Sequence, residues 1–235
     1  FHVMPKFGNS AMQERIDLMN RFIRLFGADK IECLLADREF VGDKWLEYLN
    51  SSGIEYHIRI RENFWVEIPR NGKRVKAWWL FNNLKVNQCI FYRRIVRVNG
   101  ELCYLSASRV INKENAPELQ IIVSFKKPDE AQTIYKERWQ IESAFKALKT
   151  SGFNIEDTHL TDVERVSKLM SLVLIAYVWV YKAGIYLDSL RPIKIKKHGR
   201  RAKSLFKYGL NYIANLLFGS DISSFNQCCK FLSCT

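Results

Sequence analysis

Apolar residues near the start of the chain recur first at helical spacing and then in strand-like runs. Residues 10–26 form an amphipathic helical pattern, which Ser10 would cap and Gly27 would end. The apolar positions on its inner face are Met12, Ile16, Met19, Ile23 and Phe26. The segment IECLLADREF predicts a buried strand from Ile31 to Ala36 that runs into a charged triplet. A short helix near residues 41–51 and a second strand, GIEYHIRI, complete this pattern.

The pattern changes to short alternating segments over residues 64–123. The segments WVEI, KRVKAWWLF, QCIFYRRIVRV, CYLSASRV and LQIIVSF read as strands, and Asn-Gly pairs at 71–72 and 99–100 read as hairpin turns. Helical spacing returns over residues 130–150 and again from about Asp162 to Leu187. The sequence therefore predicts a mixed α/β chain in which a β-rich block separates two α/β portions.

Composition and charge narrow the classes of function. The 235 residues are 48% hydrophobic and 26% charged, which excludes a collagen-like, mucin-like or disordered chain. The net charge of +13 favours a polyanionic partner, with nucleic acid ahead of an anionic membrane and a merely solvated basic surface as the remaining alternative. Residues 189–208 carry eight Lys and Arg and no Asp or Glu. The longest apolar run, Leu169–Tyr181, is too short to cross a bilayer and is interpreted as a buried core helix.

The six cysteines have neither CxxC spacing nor a histidine at zinc-ligand spacing, so we expect reduced thiols in a cytosolic protein. Cys228, Cys229 and Cys234 lie close together near the end of the chain. Three thiols without a fourth ligand are more typical of ordinary residues than of a metal site.

Two segments carry residues suited to catalysis. Asp37 follows a strand, at the kind of position where open α/β sheets bind ligands, although a carboxylate there also caps a following turn. In a regular helix over residues 130–150, Tyr135, Arg138, Glu142 and Lys149 would share one stripe because their offsets are 3, 7 and 14. The alternative for this stripe is a solvated face with ordinary charge pairs.

These residues resemble the DDE transposases of the insertion-sequence-four family. YKERWQIESAFKALK has the spacing of that family's YREK signature, and LLADREF resembles the segment that holds its second catalytic aspartate. The resemblance implies an α/β, ribonuclease-H-like catalytic core, with its first strands absent from this chain and a β-rich insertion before the Glu-bearing helix. It also implies four segments: 1–62 as the second-Asp part of the core, 63–124 as the insertion, 125–188 as the Glu-bearing helical part, and 189–235 as a basic tail.

The resemblance further implies the roles of single residues. Asp37 and Glu142 would be metal ligands in a site for Mg²⁺, with Mn²⁺ as the alternative ion, since hard cations take oxygen ligands. Tyr135, Arg138 and Lys149 would contact DNA phosphates, and Trp139 would hold a distorted or flipped base or else pack against the insertion. Its partners would be transposon-end and target DNA, with two protomers pairing the ends in a bacterial, nucleoid-associated cytoplasmic setting and no membrane.

The chain departs from the family pattern at the first of the family's three catalytic carboxylates. In the family the first catalytic aspartate lies upstream of the segment with which this chain begins. Asp17 falls in an amphipathic helix and Asp29 in a short connection, so neither reads as a strand-borne ligand. We therefore expect the chain alone to supply two of three carboxylates and to be inactive or very weak. The alternatives are a non-catalytic DNA-binding remnant or regulator, and a nuclease of the same core fold that does not join DNA strands.

Overall fold

The computed structural model describes residues 3, 8–112, 114–197, 199–219 and 222–232, without the side chains of residues 150 and 151. The chain divides into two compact units, with the boundary between Trp139 and Gln140. The first unit holds the sheet and the second is helical. The mixed α/β fold class predicted from the sequence is confirmed.

The first unit contains three helices and eight strands within its described residues. Its helices are α1 (Met12–Phe26), α2 (Asp43–Ser51) and α3 (Ala131–Ile134). Its strands are β1 (Leu34–Ala36), β2 (Tyr56–Ile60), β3 (Trp65–Ile68), β4 (Lys73–Lys76), β5 (Cys89–Phe91), β6 (Val96–Val98), β7 (Glu101–Ile111) and β8 (Pro117–Ser124).

The strands form one mixed sheet in the order β1-β2-β8-β7-β6-β3-β4, and β5 also pairs with β7. Strands β1 and β2 are parallel, with Ala36 opposite Ile58, and the other pairs are antiparallel. Strand β8 lies beside β2, so the β-rich segment continues the sheet that β1 and β2 begin. The four segments assigned from the resemblance stay a prediction.

The turns of the β-rich segment follow the predicted chemistry. Asn99 and Gly100 both have positive φ, 50° and 87°, which is the left-handed conformation that Asn and Gly accept most easily. Two predicted strands differ from expectation: QCIFYRRIVRV contains two short strands, β5 and β6, separated by residues 92–95, and KRVKAWWLF is a strand only at its start. Strand β4 ends at Lys76, and Ala77–Phe81 forms a 3₁₀ turn that buries Ala77 and Phe81 in the core. Burial of these two side chains therefore outweighs strand propensity in AWWLF.

The predicted first helix and first strand are confirmed with corrected ends. Helix α1 packs four of its five predicted apolar positions against the core, whereas Phe26 is exposed. Its N-cap is Ala11 and not Ser10, whose hydroxyl instead accepts a hydrogen bond from Arg15 Nε at 2.8 Å. Strand β1 begins at Leu34 and not at Ile31, because Ile31 ends a 3₁₀ turn over Ala28–Lys30.

The second unit is built on α5 (Val163–Leu190), α6 (Leu205–Phe218) and α7 (Ile222–Cys229), preceded by α4 (Trp139–Lys146). Asp162 caps α5 through a 2.8 Å hydrogen bond from Arg165 N. The core of this unit consists of Ala147, Val180, Ala183, Phe206, Ile213 and Cys228. Residues 189–235, expected to form a basic tail, thus include two helices.

Helix α5 is less buried than expected. Only Val173, Val180, Ala183 and Gly184 of its residues are buried, so the interpretation as a buried core helix is wrong for most of its length. Leu172, Ile175 and Val178 are all exposed. Among the described helices, α5 is long and apolar enough to cross a membrane, by length and composition alone. That is weak evidence, since core helices of soluble proteins meet the same test.

Candidate functional site

Asp37 lies directly after β1 and is half-buried. One of its carboxylate oxygens accepts a hydrogen bond from Arg38 N at 2.8 Å, and its carbonyl accepts one from Phe40 N at 2.9 Å. The side chain therefore caps the 3₁₀ turn Arg38–Phe40, the structural alternative considered for this residue. A carboxylate offers about four lone-pair directions, so capping leaves capacity for a second ligand.

Parallel pairing sets what lies beside Asp37. Ala36 faces Ile58 in the register, and both strands run in the same direction, so Asp37 and Arg59 follow at the same edge of the sheet. Carboxyl ends of parallel strands are where open α/β sheets hold ligands. The parallel pairing therefore places a carboxylate, that of Asp37, and a cation, Arg59, at this edge.

Tyr135 and Arg138 join Asp37 in the first unit. They lie in a 3₁₀ turn, Tyr135–Arg138, which has three residues per turn and so places positions 135 and 138 above one another. The Arg138 guanidinium carbon lies 5.6 Å from the centre of the Tyr135 ring. This turn packs against β1, the strand that leads into Asp37.

The same neighbouring charges affect the pKa of the Tyr135 hydroxyl. Burial raises the pKa of its hydroxyl to about 12, the charge of Arg138 lowers it, the Asp37 carboxylate raises it and Arg59 lowers it. Tyr135 is therefore protonated at neutral pH and can donate a hydrogen bond. The hydroxyl is therefore a neutral, buried donor whose pKa is influenced by Arg138, Asp37 and Arg59.

The structure adds a basic cavity that the sequence reasoning missed. A cavity of about 460 Å³ at this edge is lined in part by Arg38, Arg59 and Arg61, with Glu62 and Glu118. Arg59 pairs with Glu118 across β2 and β8. The signal was the alternation in HIRIRE, where Arg59 lies in β2 and Arg61 follows its last residue, Ile60. Locating it needed the parallel register, which the sequence does not show.

Helical structure over residues 130–150 is confirmed, but the segment is not one regular α-helix. The segment is broken into α3, the 3₁₀ turn Tyr135–Arg138, α4 and a π turn over Ala147–Ser151. Because 3₁₀ and π turns depart from 3.6 residues per turn, offsets of 3, 7 and 14 no longer define one stripe. The resemblance of this segment rests on its residues and not on a regular helix.

The remaining predicted residues occupy α4 and its surroundings. Trp139 begins α4 and its side chain is 58% exposed. Glu142 is half-buried in the same helix, within the second unit. Lys149 lies in the π turn of the second unit, and its ammonium pairs with Glu156 at 2.8 Å. Both partners are more than half exposed, so the pair is a weak surface interaction.

The donor chemistry fits a divalent metal, but the described residues do not assemble a full site. Asp37 and Glu142 provide the hard oxygen donors that Mg²⁺ and Mn²⁺ prefer. Within the described part of the chain, no group of three or more His, Cys, Asp or Glu side chains lies close enough together to hold a metal ion. The five described cysteines are free thiols, and Cys234 lies outside the described residues.

Comparison with known proteins identifies the family. A model of the transposase DDE domain matches residues 10–179, an interval that contains Asp37, Tyr135, Arg138, Trp139, Glu142 and Lys149. A comparison with curated proteins returns no match. Transposase DDE domains act in DNA transposition and use divalent metal ions, and the mixed sheet with its helices is consistent with their ribonuclease-H-like fold. The chain belongs to the transposase DDE domain family.

Proposed function

We propose that the chain takes part in metal-dependent cleavage and transfer of DNA strands during cut-and-paste transposition, as a member of the insertion-sequence-four family. The observation that carries the proposal is the grouping at the edge of β1. Within a chain of the transposase DDE domain family, Asp37 lies beside Tyr135 and Arg138 of the YREK-like segment. That grouping joins the two segments on which the resemblance rests.

Asp37 and Glu142 are the proposed metal ligands, with Mg²⁺ as the ion and Mn²⁺ as its substitute. A divalent metal supplies positive charge at the phosphate and lowers the pKa of a bound water. The other groups act through the chain itself. Arg138 and Lys149 bind phosphate oxygens as cations, and Tyr135 is the third proposed phosphate contact of this segment.

The surroundings hold and orient DNA in this proposal. Arg38 and Arg61 line the basic cavity beside Asp37, where they can bind the phosphates that flank the cut. Trp139 presents an exposed ring for stacking on an unpaired base. The basic residues between 189 and 208 add non-specific attraction. The partners are transposon-end DNA and target DNA, and two protomers would pair the ends.

The test separates cleavage from binding. We would use protein from the complete reading frame, duplex DNA from the two boundaries of the element that carries the gene, and Mg²⁺. Glu142→Gln removes the charge with little change in shape, and Glu164→Gln is the control because Glu164 is an exposed acid of α5 paired with Lys168 at 2.7 Å. We expect Glu142→Gln to bind DNA normally and to cut it at least about 100-fold more slowly, since second-shell changes alone cost 10–100-fold in metal sites.

The 235-residue chain provides a further comparison. We expect it to bind the same DNA but to cut it weakly or not at all, because Asp37 and Glu142 are two carboxylates where the resembled family uses three. Robust Mg²⁺-dependent cleavage by this chain alone would contradict that expectation. Cleaved ends that join to a target duplex would exclude a nuclease without strand transfer.

A chain that binds DNA without cutting it is the second candidate function. It is favoured by the absence of a three-ligand cluster among the described residues and by the net charge of +13. Under this alternative Glu142→Gln changes nothing, whereas Lys149→Ala weakens DNA binding. Loss of cleavage in Glu142→Gln therefore decides between the candidates, and Lys149→Ala, which weakens binding under both, shows that the binding assay responds to a lost phosphate contact.

A further inference from the structure

The hairpin of β3 and β4 presents one apolar and one charged face. The register sets Trp65 opposite Lys76, Val66 opposite Val75, and Glu67 opposite Arg74. Side chains alternate between faces along a strand, so the buried Val66–Val75 pair marks the inner face. Trp65, Glu67, Arg74 and Lys76 therefore share the outer face.

Trp65 is the centre of this outer face. Its side chain is 49% exposed, although large aromatic residues usually bury more of their surface. The Lys76 ammonium lies 3.9 Å from the ring centre, and the Arg74 guanidinium carbon lies 5.9 Å from it. The ring is thus held among cations while about half of it remains open to solvent.

Charge on this face is positive after internal pairing. Glu67 accepts a hydrogen bond from Arg97 at 2.7 Å, so these two charges balance. Arg74 and Lys76 then leave a local excess of two positive charges beside Trp65. A ligand that complements this face must combine a flat apolar group with negative charge.

A cavity lies beside Trp65 on this face. Its volume is about 420 Å³, and its lining includes Trp65, Arg74 and Arg97. Asn63 lines both this cavity and the basic cavity that contains Arg38, the neighbour of Asp37. The two cavities therefore have one lining residue in common, Asn63.

We propose that the outer face of the β3–β4 hairpin binds a single-stranded stretch of DNA, with a base stacked on Trp65 and backbone phosphates against Arg74 and Lys76. Only an unpaired base offers a free π-face, because bases within a duplex are already stacked on their neighbours. Negatively charged phosphates at regular spacing match the cations on either side of the ring. The surface differs from the cleavage residues of the proposed function, and only its use during transposition rests on that function.

The test measures binding of a labelled oligothymidylate to the full chain by fluorescence anisotropy. Trp65→Ala removes the ring and Trp65→Phe keeps an aromatic surface. Stacking on an aromatic side chain is worth about fivefold or more in affinity per base. We expect Trp65→Ala to weaken single-strand binding at least about fivefold and Trp65→Phe to restore most of the loss. Phe218→Ala, at a 93% exposed position of α6, is the control for removal of an exposed aromatic ring.

A second variant tests the phosphate contact without touching the ring. Lys76→Gln should reduce the slope of log affinity against log salt by about 0.7, the value for one phosphate on a single strand. Thermal melting of each variant shows whether the unit that contains the hairpin stays folded. If Trp65→Ala unfolds it, the single-strand affinity of Lys76→Gln tests the proposal instead.

Three results would overturn the proposal. The first is unchanged single-strand affinity in Trp65→Ala and Lys76→Gln, which would leave the cation–π contacts a role in hairpin stability alone. The second is an equal loss for duplex and single-stranded DNA of one sequence. The third is tighter binding of an RNA oligomer than of its DNA counterpart. Failure of the proposed cleavage function looks different, since Glu142→Gln tests it without altering the hairpin.

Discussion

Gly209 offers a sharp test of the helical unit, because α5 and α6 cross with their backbones in contact. A Cβ added at Gly209 would overlap the carbonyl oxygen of Val180 and lie 2.7 Å from the backbone nitrogen of Gly184. A Cβ at Gly184 would likewise overlap the carbonyl oxygen of Leu205. Backbone atoms move only with their whole helix, so these overlaps cannot be relieved by a rotamer change.

Two opposing effects decide the sign of Gly209→Ala. Alanine in a helix interior is favoured over glycine by about 1 kcal/mol, so the substitution would stabilise an isolated α6. Overpacking a close contact costs about 1–3 kcal/mol and occasionally more. Because the overlap involves backbone on both helices, we take the upper part of that range. The expected net loss is about 2 kcal/mol in the free energy of unfolding.

The assay is thermal melting followed by far-ultraviolet circular dichroism. A loss of about 2 kcal/mol lowers the midpoint of the helical unit by roughly 10 °C, given about 4–8 °C per kcal/mol for a unit of this size. Asn215→Ala, an exposed position on the same helix, should change the midpoint little. A Gly209→Ala variant that melts at or above the original midpoint would refute the close crossing.

Three further predictions concern the sheet. Burial lowers the pKa of His57 below 6.5, so the unfolded chain binds more protons than the folded chain in acid. The free energy of unfolding should therefore fall as the pH drops below about 6.5. In urea unfolding at a series of pH values, His57→Leu should make that fall smaller. Gly100 has a φ of 87°, so Gly100→Ala should cost about 1 kcal/mol in the same assay, unlike a substitution at exposed Arg70. Burial raises the pKa of Cys103 to about 12, so a thiol reagent at neutral pH should label exposed Cys89 before Cys103. If Cys103→Ser removes the fast step of labelling, this expectation is contradicted.

Much of the secondary structure follows from local signals. The amphipathic spacing of α1, the Asn-Gly turns and the Asp162 cap are each decided by residues close together in sequence, and the structure contains all three elements. The helix and strand ends that differ from the prediction depend on residues that are distant in the sequence. Strand β1 begins where Leu34 N can donate to Glu55 O, and the 3₁₀ turn after β4 forms because Ala77 and Phe81 enter the core.

The candidate site shows the same division. Asp37 and Tyr135 were identified as site residues because the segments that hold them resemble a known family, but nothing near either residue says that they are neighbours. Their proximity depends on the packing of a 3₁₀ turn against β1. Arg59 was missed because its importance comes from parallel pairing with β1, a contact across more than twenty residues of sequence. The sequence does not single out Trp65, because the exposure of a tryptophan is a property of the folded hairpin.

The most direct test of the proposed function exchanges one metal ligand for a softer one. Asp37→Cys puts a thiol where the carboxylate would hold Mg²⁺, and thiolate ligands bind Mg²⁺ poorly and suit softer ions better. The matched control is Asp29→Cys, at an exposed acid of the same unit. With protein from the complete reading frame, we expect Asp37→Cys to lose cleavage of the element's end DNA in Mg²⁺ and to recover part of it in Mn²⁺, while Asp29→Cys cuts in both. Full cleavage by Asp37→Cys in Mg²⁺ would contradict the assignment of Asp37 as a metal ligand.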